Sequence, residues 1–370
     1  MSKCLVTGAG GFLGKHLILW LEQAGHEVMA YHHADGEQAL KYCCEKCDFV
    51  FHLAGVNRPK LPKEFEAGNA GFTEMLVHAL KKAGNACPVI FASSIQAGSD
   101  NPYGRSKQHA ENILLAYGKA SGADVRIYRL PNVFGKWCSP NYNSAVATFC
   151  HNQAHGLPLV IHDASRSMEF VHVDDVMRAF LVEILREQKQ EGTAYRGIPV
   201  TYRKTVGEVA MMIQSFGDCR QSLHVPGQED GFLRKLYSTY LSYLPLDELS
   251  YPLCMHAENR GSFTEFMRTE GQGQFSVNIS HPHITKGNHW HHTKHEKFLV
   301  VSGEGIIRLR KLGTEDVIAY RVSGRKLEVI EIPPGCTHNI ENIGEKDMVT
   351  LMWANESFDT EQPDTWPMEV

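Results

Sequence analysis

The chain has 370 residues, 43% of them hydrophobic and 21% charged, with a formal net charge of −5. That length suits two domains, and the negative balance excludes a global attraction for nucleic acid. Nowhere do eighteen apolar residues run together, and glycines interrupt the first apolar run, so neither a membrane span nor a signal peptide is expected and a cytoplasmic location is.

Lys3–Thr7 reads as a short buried strand, followed by glycines and a helical stretch over 14–24. Further strands are expected at 28–31, 48–53, 89–93 and 125–129, with helical stretches such as 73–82 and 107–120 between them. Strands that alternate with helices imply a parallel sheet covered on both faces. Thr205 and Glu208 have the spacing of a capping box that opens a later helix. After about Pro245 the pattern changes. Residues 274–280, 306–310 and 327–332 alternate polar and apolar, separated by turns at Ser302-Gly303, Leu312-Gly313 and Pro333-Pro334-Gly335. Short strands at this spacing suggest a sandwich or barrel. Residues 237–252 are apolar and are expected to pack on a domain as a junction. The expected architecture is an α/β domain over 1–245, with a doubly wound parallel sheet, and an all-β domain over 246–370. Of the 10 cysteines, Cys43, Cys44 and Cys47 form the one cluster in sequence, and no second pair completes a four-thiolate site, so reduced thiols are expected.

Gly8, Gly11 and Gly14 stand at GxxGxxG spacing in Thr7-Gly8-Ala9-Gly10-Gly11-Phe12-Leu13-Gly14. A glycine pattern alone can be merely a turn. Between a strand and a helix it fits a pyrophosphate: the first glycine turns the chain, the second admits the phosphates, and the third lets the helix pack on the strand. At the end of the second strand, where an NAD-binding fold usually places an acid, the sequence reads Tyr31-His32-His33. The missing carboxylate removes repulsion against a 2′-phosphate, and a histidine can donate to it. NADPH is therefore the expected cofactor.

Tyr103 and Lys107, four apart at the start of a helix, share one face. A phenol is a poor acid near neutrality, and a neighbouring ammonium favours its ionised form. Ser94, ending the fourth strand, can bond a substrate carbonyl while a nicotinamide delivers hydride and Tyr103 supplies the proton. These residues, together with TGAGGFLG, the FHLAG of 51–55, Asn69 with Thr73, YGRSK, RLPNVFG over 129–135 and FVHVDDV over 170–176, resemble the extended short-chain dehydrogenase/reductase family. The resemblance covers about the first two hundred residues. It implies a Rossmann-like domain, cofactor contacts from Phe12, Leu13, Leu53, Ala54 and Gly55, and a nucleotide-sugar substrate whose diphosphate Asn132 helps to hold. Arg166 is a further substrate candidate. Eight residues separate Ser94 from Tyr103, fewer than is usual for the family's sugar epimerases, so contacts from that loop do not carry over.

His289-Trp290-His291, then Glu296, then the distant His338 form a third constellation. Three imidazoles and a carboxylate suit one borderline divalent ion, zinc foremost. A His-rich surface loop is the plainer alternative. HxHxxxxE over 289–296 and PxGxxHxxxN over 333–342 resemble the two motifs of the cupin family, although neither carries the glycine that usually opens it. The stretch Arg260-Gly261-Ser262-Phe263-Thr264-Glu265 resembles deoxysugar 3,5-epimerases, which implies that Arg260 grips a nucleotide diphosphate and that His289 removes a proton. His289 is thus a candidate for two roles, and the base stays open. The order reductase then cupin, with FGKWCSPNYNS over 134–144, YSTYLSYLP over 237–245 and KGNHWHHTK over 286–294, resembles a family of bifunctional capsule-polysaccharide enzymes. That resemblance implies a UDP-linked 2-acetamido-2,6-dideoxy-4-ketohexose as partner. The C-terminal domain would epimerise C3, and the reductase would reduce C4 to UDP-N-acetyl-6-deoxy-L-talosamine. A homodimer is also expected. A reductase whose cupin serves only dimerisation and stability is the alternative.

Overall fold

The computed structural model describes residues 1–185, 194–269, 271, 273–359 and 361–370. The chain divides into two compact units, one of residues 1–214 and 235–244, the other of residues 215–234 and 245–370.

The first unit is built on five parallel strands, β1 (Lys3–Thr7), β2 (Glu27–Tyr31), β3 (Phe49–His52), β4 (Val89–Ser94) and β5 (Val125–Leu130), with the short strand Tyr195–Arg196 at one edge. Their order is β2-β1-β3-β4-β5 and then Tyr195–Arg196. Alternate residues feed opposite faces. Leu5, Val50, Phe91 and Ile127 join one apolar core beneath the helices 36–46, 72–83 and 102–121. Cys4, Val6, Phe51, Ile90 and Tyr128 join the other, beneath Phe12–Gln23 and Val173–Ile184. Both faces are dry, which is why the strands read as near-continuous apolar runs. Chain order reverses at β1, between β2 and β3, and in such sheets that crevice receives the ligand.

The helix Pro102–Ser121 carries the chemistry and is well delimited. The Asn101 side chain accepts from the Gly104 N–H at 2.8 Å, Pro102 occupies the first turn, and Gly122 ends the helix in the left-handed region at φ 77°. The capping box forms as the sequence suggests: Thr205 N–H donates to Glu208 at 2.6 Å, and Glu208 N–H to the Thr205 hydroxyl at 3.1 Å. The junction packs over only its first half. Tyr240 and Leu244 are buried and the Tyr243 hydroxyl donates to the Cys138 carbonyl, whereas Leu246 beyond Pro245 is 87% exposed.

In the second unit the strands form two sheets. One runs (224–225)-(261–269)-(273–280)-(348–354)-(296–302)-(329–332), and the other (317–323)-(304–311)-(336–342)-(285–290)-(366–367). Phe298, Val300, Ile332 and Met348 from the first meet Ile307, Val322 and Ile340 from the second in one core. The all-β class is as expected. No ladder joins the two sheets among the described residues, so the closed barrel is not seen. No helix among the described residues is long and apolar enough to cross a membrane.

Candidate reductase and metal sites

The glycine loop is shaped by close approaches of backbone. Gly8 sits at φ +70°, and a Cβ there would lie 2.7 Å from Ala54 N. A Cβ on Gly14 would lie 2.2 Å from the Gly8 carbonyl oxygen. Neither neighbour is a side-chain tip that could swing away, so β1, its helix and the 53–55 segment stay together only without those side chains. Gly14→Ala is accordingly expected to lower the melting temperature by several degrees and to abolish cofactor retention, read by thermal denaturation and fluorescence titration. Gly10, which the spacing argument passes over, has the His32 ring beside it: its Cβ would stand 3.3 Å from His32 Nδ1. His32 thus lies beside the glycine loop, with its backbone N–H bonded to Asp35 at 2.7 Å, and both His32 and His33 are exposed.

Behind this loop a buried chain of bonds links two strand ends to the catalytic helix. The Thr7 hydroxyl lies 2.9 Å from His52 Nδ1, and His52 Nε2 lies 2.9 Å from the Thr73 hydroxyl, which donates to the Asn69 carbonyl at 2.7 Å. Burial foremost, with the Lys107 charge second, holds His52 down to about 3, so it remains neutral at physiological pH. The Asn69 amide donates to the Ser106 hydroxyl at 2.9 Å and accepts from Val56 N–H at 3.0 Å.

Of the three catalytic candidates, Ser94 and Tyr103 meet in a hydrogen bond, while Lys107, one turn along the helix, turns to the backbone of β4. Burial pushes the Tyr103 phenol up, and its hydrogen bond with the Ser94 hydroxyl works against that rise. Lys107 is 4% exposed; its Nζ donates to the Ala92 carbonyl at 3.0 Å and lies 3.2 Å from where Gly55 would carry a Cβ. Burial pushes it down to about 8, against the raising effect of Glu111. In this structure the ammonium thus faces the β4 backbone and the 53–55 segment, and burial rather than its charge dominates the phenol. Glu111, one turn on, accepts from Ser93 at 2.5 Å and from Arg129 at 2.6 Å, which fixes the end of β4 beside Ser94.

The substrate candidates are less gathered. The Asn132 amide donates to the Glu169 carbonyl at 2.9 Å. Arg166 is exposed, and Arg260, 55% exposed at its side chain, pairs with Glu258 at 2.8 Å. The cysteine cluster gains a member from afar: Cys87 Sγ lies 3.8 Å from Cys47 Sγ. The described residues do not make that group a metal-competent set.

In the second unit His289, His291, Glu296 and His338 bring one ligand atom each to within 4.8 Å of one another. His291 Nε2 and His338 Nε2 each lie 3.3 Å from Glu296 Oε2. Burial opposes ionisation of Glu296, but the two imidazoles hold its carboxyl well below the usual range. Burial, then the neighbouring His338 and His291, lowers His289 to about 4, so the ring stays neutral. His338 is 1% exposed, and neither of its ring nitrogens completes a well-directed hydrogen bond. An enclosed imidazole with no well-directed hydrogen bond, beside an ionised carboxylate and two further imidazoles, completes a donor set that fits a divalent cation.

The glycine loop, the Ser-Tyr-Lys constellation and the sheet define a dinucleotide-dependent short-chain reductase, and the chain belongs to the NAD dependent epimerase/dehydratase family, which it matches over residues 4–196. Residues 256–366 match the polysaccharide biosynthesis C-terminal domain, so the chain is of the CapF type, a reductase unit followed by that domain. The capsular polysaccharide assembling protein CapF from Staphylococcus aureus is 46% identical, with 99% of this chain and 100% of that one covered and a TM-score of 0.92. The UDP-2-acetamido-2,6-beta-L-arabino-hexul-4-ose reductase of Pseudomonas aeruginosa is 44% identical over 100% of this chain and 99% of its own. Over 48% of the chain, the dTDP-4-dehydro-6-deoxy-D-allose reductase of Streptomyces bikiniensis is 24% identical.

Proposed function

We propose that the protein is a bifunctional enzyme on a UDP-2-acetamido-2,6-dideoxy-4-ketohexose. Its C-terminal unit, read as a cupin, epimerises C3, and its reductase unit then reduces C4 with NADPH to UDP-N-acetyl-6-deoxy-L-talosamine. The enzyme acts in the cytoplasm, as a homodimer, in making a capsule precursor. The hydrogen bond between Ser94 and Tyr103, with Lys107 against the 53–55 segment that also meets Gly8, carries the reading, supported by the substrate that names the Pseudomonas aeruginosa relative.

Chemistry dictates the order. A 4-keto group acidifies the proton on C3, so epimerisation by enolisation must precede reduction, which removes the ketone. In the reductase unit the glycine loop holds the cofactor diphosphate, and bound NADPH supplies hydride to C4. The Ser94 hydroxyl donates to the ketone oxygen and Tyr103 gives that oxygen its proton. Lys107, bonded to the Ala92 carbonyl, keeps its amine beside the 53–55 segment. In the other unit His289, His291, Glu296 and His338 would hold a divalent ion, zinc favoured, which supplies Lewis-acid stabilisation to an enolate oxygen. His289 is then a ligand, and another residue takes the C3 proton.

Incubation with the UDP-4-keto sugar and NADPH, followed by NMR of the product, tests this reading. A talo product supports it. A product reduced at C4 with C3 unchanged would leave a reductase alone. Cofactor choice is tested separately: NADPH is expected to show a Michaelis constant about tenfold below that of NADH, and His32→Ala to erase most of that difference. Equal constants in the parent would remove His32 from the 2′-phosphate site.

A further inference from the structure

The segment 364–369 touches the candidate metal centre at three places, and none of its residues is among the ligands. Trp366–Pro367 pairs as an edge strand with His289–Trp290. The Met368 N–H donates to the Asn288 carbonyl at 2.9 Å, and the Thr337 hydroxyl, next to His338, donates to the Met368 carbonyl at 2.5 Å. Asp364 begins the segment with two sets of contacts. Its carboxylate accepts from the backbone N–H groups of His292 at 2.8 Å, Thr293 at 2.8 Å and Lys294 at 3.0 Å, and from the Thr293 hydroxyl at 3.2 Å. Its own backbone carbonyl accepts from His291 Nδ1.

Resting on the metal reading above, we propose that Asp364 is a positioning residue for the metal centre, fixing the ring of His291 and the loop that joins His291 to Glu296. The argument is geometric. A histidine with Nδ1–H donating to a carbonyl presents Nε2 as its lone-pair atom, and here Nε2 is the atom that faces Glu296. The carbonyl stays in place because its own side chain is fastened to the three N–H groups that follow His291. Those N–H groups are consecutive and would otherwise point into a loop with no ladder partner. One residue therefore holds the ring of one ligand and the chain leading to the next. No ligand motif reveals it, because it lies 73 residues beyond His291.

The test uses the full-length protein, stripped of metal and titrated with zinc against a chromophoric chelator, together with Asp364→Ala and Asp364→Asn. Melting curves are recorded with and without zinc. Both variants are expected to lose about tenfold or more in zinc affinity, Asp364→Asn the less because it keeps an oxygen acceptor. The rise in melting temperature caused by zinc is expected to shrink with it. A purely structural role would lower the metal-free and zinc-loaded melting temperatures equally and leave affinity within twofold, and that result in either folded variant would overturn the proposal. Asp364→Asn decides if Asp364→Ala does not fold. Failure of the parent itself to take up zinc would instead overturn the metal reading, a separate outcome.

Discussion

Tyr103→Phe is expected to lower NADPH oxidation by about a thousandfold, the middle of the range for a positioned general acid, while NADPH affinity stays within about threefold. The substitution removes one oxygen. That oxygen is the group the Ser94 hydroxyl meets, so the variant loses both the proton donor and one partner of the ketone oxygen. The ring remains, and with it the contact to Phe65, whose centroid lies 5.7 Å away. Glycine loop, His32 and Lys107 are untouched, which is why cofactor binding is expected to survive. Stopped-flow absorbance of NADPH with the keto sugar in excess reads the first quantity, and fluorescence titration the second. A rate within tenfold of the parent would mean that the proton comes from elsewhere.

The second large effect belongs to the other unit. His338→Ala is expected to lower zinc content to background and to stop exchange of the C3 proton, while NADPH oxidation with a substrate already epimerised persists. His338 is enclosed, neighbours His289 and His291 at ring distances of 4.5 and 5.4 Å, and has no hydrogen bond that replaces a metal. Losing it leaves three donors, one of them the carboxylate that His338 had helped to keep ionised. A bound metal also stabilises the fold that holds it, so circular dichroism has to accompany the assay. A folded, metal-free variant that still exchanges at the parent rate would make the cluster a structural clip.

Much of this was legible in the sequence because the chemistry depends on short spacings. Gly8, Gly11 and Gly14 lie within one loop, and Tyr103 and Lys107 on one helical turn, so periodicity alone brings each set together. Apolar runs at 3–7 and 89–93 announced buried parallel strands, and the Thr205–Glu208 box appeared as read. Distant partners were not legible. Asp364 meets His291 only because an edge strand pairs across the second sheet, and Cys87 meets Cys47 because two strands start side by side. Gly10 escaped notice because its neighbour, the His32 ring, comes from the turn just past the next strand. The exposed position of Arg260 was equally hidden, since a residue type says nothing of the Glu258 that pairs with it across a tight turn.

The claim that two reactions occupy two sites is tested most directly in deuterated buffer without NADPH. The parent and Tyr103→Phe are each incubated with the UDP-4-keto sugar, and deuterium at C3 is followed by NMR. Both proteins are expected to incorporate it at similar rates, because nothing in the second unit's His289–His338 cluster depends on the phenol of the first. Loss of exchange in Tyr103→Phe would contradict this: both steps would then belong to the reductase site, and the C-terminal unit would be left a role in dimerisation and stability.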